Sequence, residues 1–204
     1  MAATTTQIQI ANRGLQILGY QPISSIQENS RGARAMNRAY QPVLLSELRQ
    51  NIWRFAVKRI QLAAATTQPI FGPANYYPLP GDFIMLAPQD TNTDTIGFSG
   101  SSAPRDWQIE NFGNGIAIIS DDQAPIDVRY ISSALTESMF DVSFAEAFAA
   151  SLAMETCEEL TQSNTKIATC ERFYDKAIQQ ARKRNSFEVH PAQQPTDSYI
   201  RARF

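Results

Sequence analysis

A single histidine, His190, serves the whole chain, and that scarcity removes most familiar catalytic constellations at once. Serine triads and multi-histidine metal sites need a histidine with partners, whereas His190 stands directly before Pro191 with none identifiable. Cysteine is nearly as rare. Cys157 and Cys170 lie thirteen positions apart without CxxC spacing, so two free thiols in a reducing cytosol are expected. No GxxxxGK[ST] or GxGxxG run occurs, which leaves nucleotide and other cofactor use without a motif. Gly97-Phe98-Ser99-Gly100-Ser101 misses the nucleophile elbow, because a serine holds the place of the last glycine, and reads as a flexible turn. No apolar run approaches the roughly 18 residues that span a bilayer, and MAATTTQIQIANRG lacks a basic stretch leading into an apolar one. The expected setting is a soluble compartment with no membrane partner.

Apolar residues and unevenly placed charge are what the chain does have. Chains of 204 residues bury about 70% of the surface they expose when unfolded, and the apolar content, 43%, is enough to fill such a core. Net charge is −2, too near neutral for a dedicated nucleic-acid binder. Residues 31–62 nevertheless hold seven basic groups against Glu47, giving +6, while 63–146 hold eleven acids against Arg105 and Arg129, giving −9. Segregation of this kind suits matching between neighbouring surfaces, with a solvated acidic loop region as the plainer reading. The adjacent acids Asp121-Asp122 and Glu158-Glu159 point apart on a strand or a helix, so they form no acid/base pair by sequence alone.

Helical spacing marks both ends of the chain. Ile8, Ala11, Leu15 and Leu18 recur at three and four over residues 5–18, and Gly19 closes that helix. Met36, Tyr40, Leu44, Leu48 and Ile52 recur at four, with Pro42 predicting a kink or break near Gln41. Ser143 and Glu146 have the spacing of a capping box for a helix running to about Gln162. Ser163-Asn164 then opens a last helix, which carries Ile167, Tyr174, Ile178 and Ala181 and closes on Arg182-Lys183-Arg184, a cluster the helix dipole accounts for. Between these helices the period changes. Residues 76–79, 83–86, 107–112, 116–119 and 126–131 read as strands, with Gly113-Asn114-Gly115 as a hairpin turn. The prediction is an α+β fold, an antiparallel helical bundle interrupted by a small antiparallel β-insert. The bundle takes 1–64 and 140–185, the insert 65–139, and an extended C-terminal arm 186–204.

The basic stretch Arg49, Arg54, Lys58 and Arg59 around Trp53 and Phe55 has the mixture that nucleic-acid binding uses, although at helical spacing the two aromatics read as core. Along Met36 to Lys58 the run Tyr40-x-x-Val43, Leu44-Leu45, Trp53-Arg-Phe55-Ala56-x-Lys58-Arg59 resembles head-to-tail adaptors of tailed bacteriophages, of the tail tubular protein A type. The likeness continues through Tyr77-Pro-Leu79-Pro80-Gly-Asp82-Phe83, Arg129-Tyr130-Ile131, Phe144-Ala-Glu146-Ala147 and Leu152-Ala153, then Tyr174, Ala177, Ala181 and Arg182. It reaches Asp197-Ser198-Tyr199-Ile200-Arg201-Ala-Arg203 near the end, and the order of these short motifs is what makes it specific.

The resemblance implies a structural, non-enzymatic virion subunit, made in the cytoplasm of the bacterial host and placed at the head-to-tail interface. It implies a homo-oligomeric ring, usually of twelve copies, beneath the portal protein, bearing a tail nozzle or tail tube protein and passing double-stranded genomic DNA without reading it. On that reading Tyr40, Leu44, Leu48, Trp53, Phe55, Phe148 and Tyr174 are bundle core or subunit packing. Asp197, Ser198, Tyr199, Ile200, Arg201, Arg203 and Phe204 form a portal-docking arm, and Asp121 and Asp122 are candidate acids of the channel wall, where arginine would trap phosphate. The rival readings are a tail-associated cell-wall hydrolase and a free-standing nucleic-acid binder.

Overall fold

A computed structural model describes residues 6–87 and 107–188. Four helices, α1 (Gln7–Leu18), α2 (Arg31–Gln50), α3 (Val142–Thr161) and α4 (Asn164–Phe187), accompany six strands among these residues: β1 (Val57–Leu62), β2 (Asn75–Pro78), β3 (Phe83–Leu86), β4 (Trp107–Phe112), β5 (Gly115–Ser120) and β6 (Ile126–Ser132). The mixed α+β class is as the sequence predicts.

Helix α3 is the hub. Phe144, Phe148, Leu152, Cys157 and Leu160 are buried along it together with Ala147, Ala149, Ala150 and Ala153, so it is apolar nearly all round and the other three helices can pack on it. Its alanine run lets backbones come close. A Cβ added at Gly14 of α1 would sit 3.0 Å from the Ala149 carbonyl and 3.4 Å from Met36 Cε. Gly14→Val should therefore cost about 2–3 kcal/mol of overpacking, read as a lower urea midpoint with an unchanged helical spectrum; a neutral result would show that α1 and α3 have room to spare.

Local chemistry sets the helix ends. Thr6 and Gln9 form a reciprocal capping box at α1, and Gly19 closes that helix at φ 69°. The stripe shifts slightly from the expected one, since Ile10 is buried while Ile8 is 36% exposed. Helix α2 runs through Pro42 without the expected break. Met36 and Tyr40 before it and Leu44 and Leu48 after it are all buried in one core, and burial at about 2 kcal/mol per large side chain outweighs the roughly 3 kcal/mol cost of an interior proline. The capping box expected at Ser143 is replaced. Asp141 is the N-cap, and its Oδ1 accepts from the Ser143 and Phe144 amides at 2.8 and 3.3 Å. Ser163 does precede α4, but its side chain makes no capping bond, and α4 extends past the expected end at 185 to Phe187.

The chief correction concerns residues 51–62, read from sequence as helix. Asn51 ends α2 in extended backbone, Arg54–Ala56 make a single 3-10 turn, and Val57–Leu62 form a strand pairing antiparallel with β6 from Val57↔Ile131 to Leu62↔Ile126. Sheet order is β1-β6-β3 in one sheet and β2-β5-β4 in the other. Strand β6 is buried on both faces, so its two sets of alternate side chains join different cores. Ile126 and Val128 face Tyr77, Ile118, Leu62 and Leu86 between the sheets, while Ile131 joins the helical core with Ala87. The first sheet is thus the layer through which the helices hold the second. The turn at Gly113-Asn114 links β4 to β5 as expected, with Gly113 at φ 60° and Phe112 opposite Gly115.

Candidate functional site

Three constellations gather buried polar and aromatic side chains among the described residues. The first is the joint between bundle and sheets. Trp53 is 1% exposed, and its indole Nε1 donates to the Glu47 carbonyl at 2.8 Å. Its ring stacks on Phe55 at 6.2 Å and meets Phe144 edge-on at 4.8 Å, while Phe140 and Phe148 extend the cluster to Tyr40. The Tyr40 hydroxyl reaches Glu137 Oε1 at 3.2 Å, and burial, then that carboxylate, push its pKa up. Asn185 of α4 closes the joint, donating to the Ile52 carbonyl at 2.8 Å and accepting from the Arg54 amide at 2.9 Å. Tyr40, Leu44, Leu48, Trp53 and Phe148 are fully in this core, with Phe55 and Tyr174 partly buried against it.

The second constellation surrounds Glu47, an acid 2% exposed on the inner face of α2. Tyr174 OH lies 3.2 Å from its Oε2 and 3.3 Å from Gln50 Oε1, with Ser151 and Arg182 close by. Burial raises the Glu47 pKa and takes the Tyr174 phenol to about 12, the Glu47 charge adding to the latter. Its partners lie on α3 and α4, so this buried acid of α2 ties three helices together.

The third is Asp82, at the entry to β3. Lys58 Nζ of β1 donates to Oδ2 at 2.8 Å, Ser132 Oγ at 2.6 Å, and Tyr130 OH reaches Oδ1 at 3.1 Å. The Ser133 amide bonds the Asp82 carbonyl at 2.7 Å. One carboxylate thereby ties together all three strands of the first sheet. The Lys58 ammonium and then the Ser132 hydroxyl hold the Asp82 carboxyl down at about 2. A depressed folded pKa gives stability that is present above the unfolded value of 3.8 and lost as pH falls toward 2. Asp82→Asn should cost on the order of 1–2 kcal/mol at neutral pH, less than the full shift implies because Lys58 stays half in water. The same variant should lose much of the wild-type decline in melting temperature between about pH 4 and pH 2, and an identical acid limb in both proteins would discount the cluster.

The candidate channel acids have local work. Asp121 Oδ1 accepts from the Ala74 amide at 2.8 Å, and Asp122 Oδ2 accepts from Ser120 Oγ at 2.6 Å. Tyr77 OH and Asn75 Nδ2 both donate to the Asp122 carbonyl. These bonds fasten the start of β2 to the end of β5, leaving Asp121 exposed. Glu146 pairs with Arg13 across the helices, Nε at 2.9 and 3.0 Å from its two oxygens, rather than reaching back to Ser143. Glu159 pairs with Arg38. The arm residues Asp197, Ser198, Tyr199, Ile200, Arg201, Arg203 and Phe204 lie outside the described residues, as do His190 and the turn around Ser99.

Among the described residues no group of three or more His, Cys, Asp or Glu side chains is placed to hold a metal, and no helix is long and apolar enough to cross a membrane. A broad depression of about 720 Å³ over α1 is lined by Gln9, Asn12, Arg13, Gln16, Gly19, Tyr20 and Pro22, but its one charged group is already committed to Glu146. Among the described residues the most exposed large apolar side chains are Ile70, at 99%, and its neighbour Phe71, at 88%. They sit in the loop from β1 to β2, inside a stretch, 61–81, without a single charge. Sequence reading missed this pair; the signal was two large apolar residues between Pro69 and Pro73 at a turn.

Fold and side-chain placement together define a mixed α+β chain whose buried polar side chains join elements and whose loop from β1 to β2 holds two large apolar side chains in water. No family model matches the chain, and no curated protein matches it.

Proposed function

We propose that the chain is a structural head-to-tail adaptor of a tailed bacteriophage, docking beneath the portal as a ring of about twelve copies and extending the DNA channel toward a tail nozzle or tube. The observation that supports this reading most directly is where the motif residues of the resemblance fall. Trp53, Phe55 and Phe144 make the joint between bundle and sheets, and Lys58, Asp82 and Tyr130 tie the first sheet together. Motifs far apart in sequence thereby meet in one core, the rigid joint that a ring subunit would need. Ile70 and Phe71 supply a contact that costs water-ordering when uncovered and gains when a neighbour buries it. In this reading Asp121 and Asp122 are candidate acids of the channel wall, and the arm reaches the portal.

Mixing the protein with the portal of its phage and imaging in negative stain should show a symmetric ring, while the free protein at micromolar concentration sediments as a monomer or weak oligomer. Single polar contacts are weak and gain strength by multivalent docking. Replacing Ile70 and Phe71 by serine should leave circular dichroism unchanged and lower ring occupancy on the order of tenfold or more, from the lost burial of one aromatic and one aliphatic side chain. Portal that stays bare at saturating protein would sink the assignment.

A further inference from the structure

Cys157 of α3 and Cys170 of α4 place their sulfurs 4.0 Å apart inside the helical hairpin, at 0% and 1% exposure. Both are free thiols. The hairpin that brings them together is tight: Thr161 ends α3, Gln162 turns at φ 51°, and Ser163 precedes α4. Thr161 Oγ1 is 3.5 Å from Cys157 Sγ, and Lys166, one turn before Cys170, is the nearby cation, with its Nζ held on the Leu18 carbonyl at 2.7 Å. Burial, and then Cys157, push the Cys170 thiol up to about 11, which makes Cys170 a poor nucleophile, and burial shields both sulfurs from bulky thiol reagents.

We propose that Cys157 and Cys170 are an intramolecular oxidation site, closed to a disulfide by a small hydroperoxide. One sulfur attacks the peroxide and breaks its O–O bond, giving a sulfenic acid and one water; the second thiol displaces the hydroxyl as a further water and forms the S–S bond. Two thiols lose two electrons and two protons, and hydrogen peroxide is reduced to two waters. Bonding requires the sulfurs to approach by about 2 Å. Helix α4 can yield that movement because only Cys170, Ile178 and Ala181 are buried along its 24 residues. The closed pair staples α4 to the hub helix in oxidising surroundings and releases it in reducing ones. This site does not depend on the adaptor reading.

The test uses the full chain, reduced and then treated with hydrogen peroxide while folded. The intact mass should fall by two hydrogens, peptide mapping should link Cys157 to Cys170, and the melting temperature should rise by roughly 6–12 °C, reversed by reductant. Cys170→Ala, which removes one sulfur without adding volume, should gain oxygen at Cys157 and show no rise. Thiols that stay unreacted, oxygen added to wild type without a link, a link between chains, or a linked protein that melts lower would each overturn the proposal.

Discussion

Trp53→Ala should be the most damaging single substitution among the residues of the joint, lowering stability by about 3–5 kcal/mol. The loss combines a cavity between Phe55 and Phe144 with a Glu47 carbonyl left without its indole donor in the interior. Whole domains hold only about 5–15 kcal/mol, so a large part of the molecule's margin would go with one side chain. Trp53→Phe keeps most of the packing and loses the donor, and should cost about 1–3 kcal/mol. Urea unfolding followed by circular dichroism separates the two. If both variants fell equally, the hydrogen bond rather than the ring would be holding the joint; if neither fell, the joint would not be the keystone described.

Removing residues 189–204 should abolish co-sedimentation with the portal while leaving the melting temperature nearly unchanged. The cut belongs at 189, not at the expected start of the arm at 186, because α4 continues through Phe187. Asn185 lies just inside that end and fastens it to Ile52 and Arg54. A cut before 186 would leave Asn185 as the terminal residue with the end of α4 gone, loosening two hydrogen bonds at about 1 kcal/mol each and confusing docking with folding. The segment removed contains Tyr199, Ile200 and Phe204 beside Arg201 and Arg203, a combination suited to apolar pockets and carboxylates on a partner. Undiminished portal binding by the truncated chain would falsify the docking arm. The adaptor assignment would then rest on ring formation alone.

How far the sequence can be read depends on how far away a residue's partner lies. The strands at Phe83–Leu86 and Trp107–Phe112 have the bounds their sequence predicts, because proline and glycine flank them and β-formers fill them. Strand β1 was illegible. Val57-Lys-Arg-Ile-Gln-Leu62 follows an amphipathic helix with no glycine or proline between, and its extended form depends on β6, more than sixty positions onward. Glu146 misled for the same reason: the spacing to Ser143 was right for a cap, but Arg13, 133 positions back, offers a charged partner that an amide does not match. Asp82 stood in the sequence only as part of the Leu79-Pro80-Gly-Asp82-Phe83 motif, and its role emerges where Lys58, Tyr130 and Ser132 converge on it.

By itself the sequence determined where helices start and stop around Gly19 and Ser163, the Gly113-Asn114 turn, the burial of Tyr40, Leu44, Leu48 and Phe148, and the mixed α+β class. These rest on backbone preferences and periodicities that act within a turn or two of the chain. Tertiary structure alone decided that α2 passes through Pro42, that β6 serves two cores, that Ile70 and Phe71 stand in water, and that Cys157 meets Cys170. Each of those outcomes is settled by packing between segments distant in sequence, where burial worth several kcal/mol overrides local preferences worth about one.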